Sequence, residues 1–329
     1  MNNSLYLLPI LVSFVSACVP DPVEPVKPTV DQTAAVEPAR PVTSAVNLGA
    51  GVCGMGQSLA HKTKHDGTRT VIYDGKGAIA FKANYAVNTD GAPNSYHPDD
   101  LYGGKGLAIN TICNGANAYS AAGEKFGPAQ CSQLVDTYKT AKAQNWTQEG
   151  GARMRFYGVA THDQAQAVPC LNKTGKYAGF FVSTTSMVAD SSFGTCEQER
   201  YLDSLETNFI IRPGGKKFRN IGMGLKDLAV VIDPKTGKSV FAVVGDTGPS
   251  FGLGEGSVAL LQRLGSRTDV PQTRRETYGY GIKNAVTVIL PDATFSGKVT
   301  QAAIDKAGAM ALSSFGGMER VLGCVSDLK

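Results

Sequence analysis

SVFAVVGDTGPSFGLGEGSVALLQRLG, residues 239–265, passes from one kind of structure to another within one stretch, and the rest of the chain is read from it. It opens as a β-branched and aromatic run, which predicts a largely buried strand. It turns through Gly245, Gly248, Pro249, Gly252, Gly254 and Gly256, then leaves as Val258–Leu264 in a helical pattern. Ser257 is the expected N-cap of that helix and Gly265 its stop. The turn carries two carboxylates, Asp246 at the strand end and Glu255 just before the helix. Glycine at this density lets backbone approach a ligand closely, and a pair of acids on such a loop suggests acid/base chemistry.

Outward from this stretch, the pattern is β-rich. LKDLAVVI (225–232), a DPKTGK turn and SVFAVV read as a hairpin leading into the central turn. Thr68–Tyr85 reads as a second hairpin, and GFFVSTTSM (179–187), NFIIR (208–212) and NAVTVIL (284–290) read as strands. Cys131–Asn145 predicts a surface helix, and Gln301–Val321 a final amphipathic one. Glycine is abundant, at 38 of 329 residues, and charged residues are sparse at 18%, which favours a loop-rich globular protein. The expected fold class is therefore β-rich, mainly β with peripheral helices (α+β), as a single twisted β-barrel-like domain over residues 48–329.

The first segment reads as a targeting signal. LYLLPILVSFV is too short for a membrane span, and it ends in Val15-Ser16-Ala17-Cys18, which resembles the lipobox of bacterial lipoproteins. Residues 1–17 are thus expected to be a signal peptide and Cys18 the lipid attachment point. An ordinary signal peptide cut elsewhere, or a wrongly placed start codon, is the alternative. Residues 18–47 are rich in Pro and Val and predict an extended tether. Of the seven cysteines, Cys18 apart, Cys53, Cys113, Cys131, Cys170, Cys196 and Cys324 are disulfide candidates in an exported chain, with their pairing left open.

Composition and motifs exclude several chemistries. A net charge of +4 without a basic cluster gives no footprint for nucleic acid. The turn reads G-L-G-E-G-S rather than G-x-G-x-x-G, and Glu255 would face a phosphate, so a dinucleotide site is not expected. G-x-S-x-G is absent. His61 and His65 stand at metal-ligand spacing, but Lys62 and Lys64 flank them and no H-E-x-x-H accompanies them, so both are read as surface residues. No metal and no cofactor are expected. The two carboxylates remain: glycoside cleavage needs one acid to protonate the leaving oxygen and one carboxylate to activate water or attack the sugar. The bland alternative is that Asp246 caps a turn and Glu255 the helix.

Four segments carry a resemblance to glycoside hydrolase family 75, the chitosanases: TDGAPNSYHP (89–98), GFFVSTTSM (179–187), YLDSLETNFIIRPG (201–214) and AVVGDTGPSFGLGEGSVALLQRLG (242–265). The last is the most specific, with a G-D…G-P…G-E-[AG]-S pattern. The resemblance implies inverting endo-hydrolysis of β-1,4-linked glucosamine chains, with Glu255 as general acid and Asp246 as general base. A cleft for a cationic polymer is expected to be acidic, with Asp90, Asp99, Asp100, Asp203 and Glu206 as lining candidates and Tyr96 or Tyr201 as platforms for a sugar face. The expected partners are a polysaccharide and, through the N-terminal lipid, a membrane, with the chain monomeric. Another envelope glycan such as de-N-acetylated peptidoglycan, or a non-catalytic surface lipoprotein that binds glycan or a partner, is the alternative.

Overall fold

The computed structural model describes residues 53–63, 66–147, 151–163 and 165–328. The signal peptide, Cys18, the tether and His65 lie outside the described residues. In chain order the strands are β1 (Gln57–Lys62), β2 (Thr68–Tyr73), β3 (Ile79–Asn88), β4 (Ala116–Tyr119), β5 (Lys125–Phe126), β6 (Arg153–Phe156), β7 (Phe209–Pro213), β8 (Asp227–Ile232), β9 (Ser239–Gly248), β10 (Glu255–Ser257) and β11 (Ile282–Thr294). The helices are α1 (Cys131–Ala143), α2 (Lys217–Asn220), α3 (Val258–Leu264), α4 (Arg274–Thr277), α5 (Gln301–Phe315) and α6 (Gly317–Asp327).

Six strands close on themselves in the order β3-β10-β7-β9-β8-β11, with β11 pairing back onto β3, while β2 and then β1 extend the sheet from β3. Closure removes the exposed edges that an open sheet would present. It also explains why the strand runs read as continuously apolar. On β8, Ala229 and Val231 point into the barrel with Ala242 and Val244 of β9, and Phe81 and Ala83 of β3. Their neighbours Leu228, Val230, Ile232 and Val243 point outward, as a period of two requires. The interior is filled further by α3, which contributes Val258, Leu260, Leu261 and Leu264. Outside, α5 and α6 cover the barrel through Ile304, Phe315 and Val321.

A second, three-stranded sheet of order β5-β4-β6 packs with α1 around Ala116, Ala118, Met154, Phe156, Leu134 and Tyr138, a cluster that also takes in Tyr96 and Phe181. Among the described residues no helix is long and apolar enough to cross a membrane. All six cysteine candidates are paired: Cys53–Cys324, Cys113–Cys131 and Cys170–Cys196. Disulfides of this kind are compatible with an exported protein.

Several local expectations are corrected. The single C-terminal helix is two, because Gly316 adopts φ 110° and ends α5 with its amide on Leu312 and Ser313 carbonyls. GFFVSTTSM forms isolated bridges, Leu171 with Phe181 and Val159 with Ser183, rather than a strand. His61 is buried at 4% exposure, edge-on to Phe218, because its side chain faces inward from β1. Helix α1 is not merely superficial, since Leu134, Val135, Tyr138 and Ala141 are buried.

The Cys53–Cys324 bridge ties residues 271 apart in sequence and fastens α6 to the start of the described chain. Replacing both with Ser is expected to cost about 2–5 kcal/mol, measured as a lower urea midpoint. An unchanged midpoint would show that α6 is held by packing alone.

Candidate active site

Asp246 reaches its place through an irregularity in β9. Pairing with β7 runs Phe209↔Val243 and Ile210↔Val244, then skips to Ile211↔Asp246. Gly245 is therefore the extra residue of a β-bulge, a device that re-aims a side chain. Val244 points into the barrel, so strict alternation would carry Asp246 inward as well. The bulge instead aligns it with Ile211, which packs on the outer side with Leu202, Phe209 and Val243. Gly245 has no room for a side chain: a Cβ would stand 2.5 Å from Leu202 Cδ1 and 2.7 Å from Phe209 Cβ.

Glu255 is brought level with Asp246 from the other side of β7. Gly256 of β10 pairs antiparallel with Ile210, so one step back along that pair sets Glu255 beside Ile211. A Cβ on Gly256 would meet Leu260 and Tyr85 of the interior, so Glu255, its neighbour on the strand, faces out. The two acids thus flank Ile211 on one face, two strand spacings or roughly 9–10 Å apart at the backbone. Both are strand residues rather than turn residues. The helix cap is Ser257, which accepts from Leu260 N–H, and not Glu255.

One oxygen of Asp246, Oδ1, accepts from Ser186 N–H at 2.8 Å, Ser186 Oγ at 2.6 Å and Thr247 N–H at 2.8 Å. Burial raises its carboxyl above the ordinary value, and the Ser186 and Thr247 donors oppose that rise. Glu255 Oε2 accepts from Asn88 Nδ2 at 3.4 Å. Asn88 in turn accepts the amide of Asp90 at 2.8 Å, so the third acid belongs to the same constellation. Its carboxyl is raised well above the usual range, first by burial, then by the charge of Asp246, with Glu255 adding and the Tyr96 hydroxyl opposing.

The other sequence candidates fall elsewhere. Tyr96 is 1% exposed and offers no ring face to a sugar; its hydroxyl donates to Asp90 Oδ1 at 2.5 Å. Tyr201 is 9% exposed, donates to Thr195 C=O and packs near the Cys170–Cys196 bridge, so it is not a platform either. Tyr201, Asp203 and Glu206 line a recess with Tyr177, Gln198 and Glu199 that includes none of the three clustered acids. Asp100 is buried and accepts four backbone amides of its own loop, from Gly104, Lys105, Leu107 and Ala108, a structural staple rather than a cleft wall. Asp99 sits in the same loop, its amide donating to His97 Nδ1.

Sequence reasoning missed Ser186, Asn88 and the half-exposed rings of Tyr157 and Phe251. Phe251 is carried on the turn that closes with Gly252 N–H to Pro249 C=O, directly before Glu255. The phenol of Tyr157 is pushed up to about 12 by burial and by the charge of Asp90, which sets it beside the acids.

Two outcomes are expected. Gly245→Ala forces its methyl against Phe209 Cβ and is expected to lower stability by about 1–3 kcal/mol, read in urea; a wild-type midpoint would show that the bulge relaxes freely. Asp203 has a carboxyl raised to about 6 by burial first and by Glu206, against about 3.9 unfolded. The folded state then binds the proton more tightly, so stability falls as pH rises from about 4 to 6. Asp203→Asn is expected to remove that fall, on the order of 1–2 kcal/mol after allowing for its partial exposure, in denaturation curves taken across the window.

No protein-family model matches the chain, and no curated protein matches it either.

Proposed function

We propose that this protein is an inverting glycoside hydrolase that cleaves β-1,4 bonds within chitosan or a related amino-sugar polymer. The observation that carries the reading is the placement of Asp246 and Glu255 level with one another across Ile211. Two strand spacings leave space for a sugar ring and a water between the carboxyls, in keeping with the roughly 6.5–9.5 Å that inversion needs. Asp246 is the general base: it takes a proton from water as the water oxygen bonds to the anomeric carbon. Glu255 is the general acid: it gives its proton to the leaving oxygen as the glycosidic bond breaks. A carboxylate whose affinity for protons is raised by burial, as that of Asp246 is, makes a stronger base than a solvated one.

The substrate class follows from charge. The acids Asp90, Asp246 and Glu255 meet at one spot on a chain of net charge +4, and the negative charge left on Asp246 favours a cationic glucosamine polymer over an anionic one. Tyr157, half-exposed near Asp90, and Phe251, half-exposed on the turn that leads into Glu255, supply ring faces for sugars. Export with attachment through a lipid on Cys18 would set this activity at the cell envelope.

The test is product release from soluble chitosan by the full chain beside Glu255→Gln and Asp246→Asn. Turnover by the parent and a loss of roughly 10²–10⁴ in each variant is expected. A folded parent that releases nothing from chitosan, but does from de-N-acetylated peptidoglycan, would reassign the polymer and keep the chemistry. Release from neither would leave a glycan-binding protein.

A further inference from the structure

Asp90 has more built around it than a residue that merely lines a cleft. It lies two residues past the end of β3, with its amide held by Asn88 Oδ1 at 2.8 Å. Its Oδ1 accepts from Tyr96 Oη at 2.5 Å, and that hydroxyl accepts from Asn110 Nδ2 at 3.0 Å. Asn110 is itself fixed, its Oδ1 accepting from Asn114 Nδ2 and from Thr111 N–H. Gly158 closes the pocket from the small-sheet side: a Cβ there would lie 3.0 Å from Tyr96 Oη and 3.3 Å from Asp90 Oδ1. The titratable groups that act on Asp90 are Asp246 from β9, Glu255 from β10, Tyr96 from its own loop and Tyr157 after β6.

Three carboxylates within reach of one another in a partly dry site do not all keep their charge. Asp246 has three donors on one oxygen and is the best equipped to stay ionised. Asp90 has one side-chain donor, Tyr96, whose own proton is retained because burial raises that phenol well above its ordinary range. We propose that Asp90 is a third functional carboxyl of this site and that it works in its proton-bearing form, with Oδ1 fixed by Tyr96 and the proton on Oδ2. A neutral carboxyl offers what the Asp246 anion lacks, an O–H donor for a sugar hydroxyl or for the attacking water. It also leaves the site one negative charge lighter. This role rests on the hydrolase reading; the protonation itself does not.

The experiment has two arms. In the first, the Asp carboxyl carbons are labelled with 13C, the Asp90 signal is assigned by its loss in Asp90→Asn, and it is titrated in the full chain. A midpoint well above the ordinary aspartate range that moves higher in Tyr96→Phe is expected, because removing the phenol removes a donor to the anion. A midpoint at the ordinary aspartate value of about 4 would overturn the proposal whatever the turnover. In the second arm, Asp90→Asn keeps a neutral donor and Asp90→Ala does not, so kcat on chitosan is expected to fall less than about tenfold in Asn and at least a hundredfold in Ala. Asn as damaging as Ala would mean that the anion is what functions, and Ala as active as the parent would mean that Asp90 has no role; either result sinks the proposal. A parent with no turnover on any polymer would end the hydrolase reading instead, and the titration would still decide the proton.

Discussion

The single extra residue at Gly245 is the constraint on which the rest of the site depends. A closed barrel leaves each strand residue only two directions, into the packed interior or away from it. Val244 must point inward to complete the core, and a regular strand would then send the carboxyl two positions later into the same apolar space. There a carboxylate would face a desolvation cost that no neighbour offsets. The bulge avoids this, and its own consequences are met nearby: the freed Gly245 carbonyl accepts Met187 N–H at 2.9 Å. That bond places Ser186, one residue earlier, where both its amide and hydroxyl reach Asp246. Bulge, acid and acid-holding serine are one structural unit.

The small sheet is tied to the same unit. Tyr96 belongs to the core that β4, β6 and α1 build, yet its hydroxyl ends on Asp90. Gln198 links the remaining pieces, donating to the carbonyls of Gly91 and Ser183 and accepting Ser183 N–H. The region between barrel and small sheet therefore has few regular backbone ladders but many side-chain to backbone bonds. This is the usual way to satisfy irregular buried backbone. It also shows why crowding three acids is tolerated. The repulsion falls on a frame held by two hydrophobic cores and three disulfides.

What was legible in the sequence was local. The β8–β9 hairpin follows from two apolar runs around an Asp-Pro-Lys-Thr-Gly-Lys turn, and Ser257 and Gly265 mark α3 because capping is decided by immediate neighbours. The acid pair was found for the same reason, since both residues flank one glycine-rich turn. What failed was non-local. GFFVSTTSM has the composition of a strand, but its amides go to Tyr96, Cys170 and Gly158 carbonyls and to the Gln198 side chain, partners no window of sequence contains. Tyr96 was an aromatic ring near an acidic loop. Which atom of it meets the site depends on a core assembled from residues up to Phe181. Asp90 joined the acids only through the pairing of β10 with β3.

That pairing also separates two properties that the glycine-rich turn suggests should go together. Glu255 lies at the first position of β10, between β3 in parallel and β7 in antiparallel register, and Asp246 lies within β9 rather than beyond its end. Both acids are therefore set by strands, which hold a side chain more closely than loops do. The residues between them, Pro249 to Gly254, form the turn proper and carry Phe251 outward. The glycines that suggest close approach of a ligand leave the acids themselves on the strands. In the proposed hydrolase, adaptation to different lengths or decorations of a polymer would fall to Phe251 and its turn, without loosening the placement of the two acids.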